Sequence, residues 1–120
     1  MNTPKRDPLE NFEAQFKKST LPLMVLTILS EREKMYAYEI TKEALERSSG
    51  RYKMPLLYTT LNKLQEQGFV AEVEKIISDA NRVRIYYCIT ETGRRYLSEL
   101  KTLYKELSDT VRSIVLDEKS

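Results

Sequence analysis

Between Arg47 and Gln65 the chain carries four cations, Arg47, Arg51, Lys53 and Lys63, and no carboxylate. Eighteen of its 120 residues are acidic, so an acid-free stretch suits a surface that faces phosphates, which repel carboxylates and are neutralised by Lys and Arg. Within the stretch Leu57, Leu61 and Leu64 recur at i, i+4, i+7. On a helix these three share the buried face and turn Thr59, Thr60, Asn62 and Lys63 outward. Thr and Asn can hydrogen-bond base edges in a major groove, whereas Lys, a flexible point charge, suits phosphates. Read from periodicity alone, the same face is equally an ordinary solvated one. Lys75, Arg82 and Arg84 form a second basic group able to reach a neighbouring phosphate or minor groove, with Glu72, Glu74 and Asp79 interspersed against that role.

Composition removes most other chemistry. There is no His and a single Cys, Cys88, which excludes His-based catalysis, His/Cys zinc sites and an intrachain disulfide. Glu43 and Glu46 fall on a solvated helix face, and Glu72 and Glu74 on an exposed strand face, so neither pair reads as an acid/base dyad. Cys88 has at most Arg84 as a cationic neighbour, too little for a redox sensor. Without a nucleophile–base pair, phosphate loop or metal cluster, the chain reads as a non-enzyme with no cofactor and no metal.

The elements that must present these side chains follow from length and patterning. A chain of 120 residues argues for one small domain. Leu, Ile, Val and Phe are 31 of the 120, above the roughly one-fifth below which chains stay disordered. The apolar set with Gly and without Tyr is 44 residues, short of the roughly 45–50% of ordinary globular domains, a thin core that invites a second copy. No apolar run nears the roughly 20 residues that span a bilayer, and the first residues lack a signal peptide's apolar stretch. The expectation is a cytoplasmic protein with no membrane partner.

Residues 1–8 read as a loose tail, and Leu9, Phe12 and Phe16 as one stripe of a short amphipathic helix. Thr20 suits the N-cap of a separate helix with Pro22 in its first turn, apolar on nearly every side through Ile28 and Leu29. Ala37, Ile40, Ala44 and Leu45 mark the next helix, which ends near Ser48-Ser49-Gly50. Pro55 at a first helical position opens the helix bearing Thr59 to Lys63, and Gly68 caps it. Phe69 to Ile76 and Arg84 to Ile89 read as strands of a hairpin with its tip at Ser78 to Asn81, burying Ile85, Tyr87 and Ile89. From a Thr90 N-cap, a helix of about 25 residues would run roughly 38 Å. Leu97, Leu100, Tyr104, Leu107, Val111 and Ile114 recur along it in 3-4 spacing, a heptad seam.

Three helices and a hairpin, with a turn before the third helix, is the element order of a winged helix-turn-helix. The fold expected is mainly α, with an N-terminal helix and a long C-terminal dimerisation helix. The domain division is tail 1–8, winged helix-turn-helix 9–90 and dimerisation helix 91–120. The seam can fold back on its own domain, but Leu9, Phe12 and Phe16 also need a partner, and one two-fold axis serves both. At that axis Phe12, Phe16, Tyr96 and Tyr104 either border a cavity for a small hydrophobic or aromatic ligand or simply fill the interface.

The chain also resembles the PadR-type transcriptional regulators. The residues carrying the resemblance are Tyr36-Ala37-Tyr38-Glu39-Ile40, Leu57-Tyr58 with Leu61, Leu64 and Gly68, and above all the run from Arg84 through Tyr86-Tyr87 to Thr90-Glu91-Thr92-Gly93. The resemblance, to the family's short subfamily, implies a homodimeric repressor on an inverted repeat of double-stranded DNA. It also brings Tyr36 and a phosphate-bonding Tyr58 into the DNA-facing set. One branch of the family stacks planar ligands on a Trp of the C-terminal helix; this chain has no Trp, and the matching site falls on or near Tyr104. Tyr36-Ala37 stands where the family usually has His-Gly, so no family operator carries over. From another class, a winged-helix module for protein contacts or DNA architecture remains the alternative function.

Overall fold

The computed structural model describes residues 7–116, so most of the expected tail lies outside the described residues. Its end does not: Asp7 is an N-cap and Pro8 opens helix α1, Pro8–Ser30. The Asp7 carboxylate accepts from the Leu9 N–H while Glu10 reaches back to the Asp7 N–H, a reciprocal cap. The two helices expected from Leu9 and from Thr20 are therefore one. Thr20 caps nothing; its hydroxyl donates to the Phe16 carbonyl at 2.8 Å, and Pro22 lies inside the helix. Pro22 withholds an N–H from the Lys18 carbonyl, but Lys18 is exposed, where water serves a free carbonyl.

The second half of α1 is the centre of the core, with Val25, Leu26 and Leu29 fully buried. Strand β1, Met35–Tyr36, leads into helix α2, Ala37–Arg47, which buries Ala37, Ile40 and Ala44. Leu45, expected on that face, is exposed at its border. Helix α3, Leu57–Glu66, starts two residues later than Pro55 suggested, because Pro55 and Leu56 form the turn that precedes it. Gly68, at φ 82°, ends α3 as expected, letting the Phe69 N–H reach the Leu64 carbonyl at 2.9 Å.

Strands β2, Val70–Ile77, and β3, Val83–Ile89, form the hairpin, and β1 pairs with the other edge of β3 to give the order β1-β3-β2, all antiparallel. Two residues leave too short a pattern to read, so β1 had no signal of its own. A bulge falls between Glu72 and Glu74, and Tyr87 and Ile89 are buried with Ile85 partly so, as alternation required. The winged helix-turn-helix is thus the observed fold.

Helix α4, Glu91–Val115, runs its expected 25 residues from a Thr90 cap. The Thr90 hydroxyl accepts from Gly93 N–H at 2.9 Å and donates to the Gly68 carbonyl at 2.7 Å, while the Thr90 N–H donates to the Phe69 carbonyl at 3.0 Å. Tyr96 stacks on Phe69, centroids 4.2 Å apart and planes 3° from parallel. Arg94 donates to the Ser30 carbonyl at the end of α1, where a cation also suits the helix dipole. A Cβ on Gly93 would lie 2.2 Å from the Phe69 carbonyl oxygen. Gly93→Ala should therefore cost at least about 2 kcal/mol, read as a lowered urea midpoint; an unchanged midpoint would contradict this packing.

Candidate nucleic-acid interface

The buried stripe of α3 is Leu57, Thr60, Leu61 and Leu64, and it determines what the helix can present. Tyr58, Thr59, Asn62 and Lys63 are exposed on adjoining turns and form one polar face, whose single carboxylate is Glu66 at the C-terminal end of the helix. Thr60 departs from expectation: it is 8% exposed, three residues after Leu57 and one before Leu61, so it packs inward and cannot meet a base edge. Tyr58 is 64% exposed.

Next to this face lies a groove of about 430 Å3 between the start of α2, Tyr58 and the wing, its polar lining being Tyr36, Tyr38, Tyr58, Tyr87, Arg82 and Arg84. No carboxylate lines it. The Arg84 guanidinium lies 4.8 Å over the Tyr36 ring, and Tyr36 in turn meets Tyr86 edge-on at 5.2 Å. Stacking keeps a guanidinium planar and oriented while leaving its charge in place. Tyr38, exposed and 6.3 Å from Tyr36, was missed; its position one residue into the helix beside Tyr36 was the available signal. Lys75 is exposed on β2 opposite Ile85. Of the acids that counted against the wing, Glu74 is ion-paired to Lys34 and Glu72 accepts from Gln65 at 3.2 Å.

The acid-free stretch is not acid-free in space. Arg47 pairs with Glu31, the residue that caps the end of α1, at 2.6 Å. Arg51 donates from Nε and Nη2 to both oxygens of Glu13, at 3.0 and 3.3 Å. That bidentate pairing, together with Lys17 at 2.9 Å, holds the Glu13 carboxyl down at about 2. Lys53 and Lys63 have no ion pair among the described residues. Two of the four cations are thus uncommitted, a distinction carried by tertiary contacts and invisible to a charge count along the chain.

The expected dimer face is divided. Leu9, Phe12 and Phe16 on α1 are exposed, as are Tyr104, Leu107, Val111 and Ile114 on α4, with Leu100 half-buried. Leu97 is buried in the chain's own core, because the first turns of α4 lie on it, so it is not available to a partner. Tyr96, half-buried, has one ring face stacked on Phe69. The groove that Phe12 and Phe16 do line, of about 350 Å3, is completed by Glu13, Lys17, Arg51 and Tyr52 and includes neither Tyr96 nor Tyr104.

Among the described residues no group of three or more His, Cys, Asp or Glu is placed to hold a metal, and no helix is long and apolar enough to cross a membrane. Residues 25–99 match the model of the transcriptional regulator PadR-like family. The fold superposes on a PadR-like transcription factor from Bacteroides fragilis with a TM-score of 0.67 at 28% identity, covering 88% of this chain and 99% of that one. A PadR-like transcriptional regulator from Bacillus cereus gives 0.70 at 25% identity with the same coverage. An uncharacterized protein of Lysinibacillus sphaericus is 29% identical over 93 residues, which is 76% of this chain and 84% of that protein.

Proposed function

The chain belongs to the PadR-like family of transcriptional regulators, and on that premise we propose that it is a homodimeric repressor reading an inverted-repeat operator. The observation that carries the reading is the exposed polar face of α3, Tyr58, Thr59, Asn62 and Lys63, with Glu66 as its one carboxylate at the helix's far end, flanked by the unpaired Lys53 and by the Arg84-bearing groove. In this reading Thr59 and Asn62 meet base edges in the major groove, and Lys53, Lys63, Tyr36 and Tyr58 hold phosphates. Lys75, Arg82 and Arg84 of the wing reach the flanking backbone or minor groove. Two α3 helices about 34 Å apart enter successive major grooves, and repression follows from blocking polymerase.

Dimerisation is supported by the apolar side chains left in water on α1 and the outer turns of α4. Covering such surface gains roughly 25 cal/mol per Å2, and the heptad spacing of the α4 set suits a helix from a second copy. A small aromatic or hydrophobic effector would enter where Phe12, Phe16 and Tyr104 meet the partner, loosening the pairing that sets the separation of the two α3 helices.

Two experiments test this. On duplex DNA taken from upstream of the protein's own gene and on a shuffled control, Lys63→Ala and Lys53→Ala should weaken both complexes, each lost contact lowering the salt slope by about 0.9. Asn62→Ala should instead narrow the preference for upstream DNA, by about 1–3 kcal/mol per base pair it reads; equal losses on both duplexes would contradict base reading at this residue. Separately, Leu100→Asp with Leu107→Asp should convert the dimer to monomer in sedimentation equilibrium, since a charge would be buried unpaired. A folded dimer of the double variant would refute the seam.

A further inference from the structure

Arg51 stands in the connection that leads into α3, yet its guanidinium is turned back onto α1. Both of its bonds go to one carboxylate, that of Glu13, and Lys17 shares the same carboxylate. The next residue is anchored to α1 as well: the Tyr52 hydroxyl is 3.0 Å from the Thr20 hydroxyl and its ring lies 5.5 Å from the Lys17 ammonium, while its N–H donates to the hydroxyl of Ser48, at the end of α2, at 2.8 Å. Arg51 and Lys53 line one groove of about 570 Å3 that extends to Leu56, the residue capping α3. Lys17 and Lys18 of α1 line the same groove, so of the basic residues on the approach to the reading helix Arg51 and Lys17 are held by Glu13, while Lys18 and Lys53 have no ion pair among the described residues.

We propose that Glu13 is a masking residue, which holds Arg51 in a bidentate ion pair, takes one cation per chain away from DNA phosphates, and so limits affinity for DNA of any sequence. The proposal rests on the DNA-binding reading above. The Nε–Nη2 edge of the Arg51 guanidinium is one fork, and a carboxylate and a phosphate oxygen pair compete for it with the same geometry. The pair is solvent-exposed, with Arg51 at 69% and Glu13 at 39%, which makes it weak and screened by salt. Its role is then better sought in what it withholds than in what it stabilises. Burial of Phe12 and Phe16, which share a groove with Glu13 and Arg51, would exclude water from the pair and tighten the mask.

The test is the salt dependence of binding to a random-sequence duplex, read by fluorescence anisotropy for the wild type, Glu13→Gln, Arg51→Ala and the double variant, each checked for helicity by circular dichroism. Arg51→Ala alone should leave the wild-type slope unchanged. Glu13→Gln should steepen it by about 0.9 for each Arg51 that reaches a phosphate, and adding Arg51→Ala should remove that gain. Glu13→Asp, which shortens the reach while keeping the charge, should steepen the slope in the same direction. A slope lowered by Arg51→Ala alone, a slope unmoved by Glu13→Gln, or no binding by either protein at low salt would overturn the proposal. A DNA-free check is NMR titration of the Glu13 carboxyl, expected below the ordinary carboxylate range because Arg51 and Lys17 both bond it; titration in the ordinary range would overturn it too. Random DNA carries no operator, so absent operator preference sinks the repressor reading alone, and a slope indifferent to Glu13 sinks the mask alone.

Discussion

The Phe69 carbonyl is the point on which the geometry of the molecule turns. It accepts the Thr90 N–H and passes so close to Gly93 that only a residue without a Cβ fits, while the Phe69 ring is capped by Tyr96. Gly68, one residue earlier, ends α3 and gives its own carbonyl to the Thr90 hydroxyl. The end of one helix and the start of another are thus locked through three consecutive contacts with little freedom to hinge. If α4 meets a second copy and α3 meets DNA, this junction is what converts the dimer axis into a fixed separation of two reading helices.

That lock also explains why the run from Thr90 to Gly93 was informative in the sequence: three of its four residues have a geometric task, Thr90 as a cap, Glu91 as a dipole-complementing acid and Gly93 as a missing side chain. The long helix, the hairpin and the α3 stripe were legible because their periodicities are long enough to count. Failures came where tertiary contacts outweighed local signals. Thr20 and Pro22 look like a helix start, yet α1 runs through both, with Thr20 bonded back to the Phe16 carbonyl of the preceding turn. Thr60 looks polar enough to face out, but the stripe of α3 needs an i+3 member beside Leu57 and Leu61, and a small Thr fills it.

Charge was the least legible property. Arg47 and Arg51 sit in an acid-free stretch of sequence but against Glu31 and Glu13 in space, from a helix whose nearest turn is many residues away. Conversely the wing looked mixed, and two of its three acids, Glu74 and Glu72, are engaged by Lys34 and Gln65. The field that DNA would meet is therefore that of Lys53, Lys63, Arg82 and Arg84 rather than a sum along the chain. Apolar exposure has the same character: Leu97 belongs to the seam by spacing and to the core by position.

The central claim, that two copies place two α3 helices in successive major grooves, is tested most directly by hydroxyl-radical and dimethyl sulfate footprinting on DNA upstream of the gene. The account predicts two protected major-groove windows, related by a dyad and centred about 10 base pairs apart, with weaker backbone protection outside them where the wings lie. A single window, or uniform protection without guanine-specific signals, would contradict it.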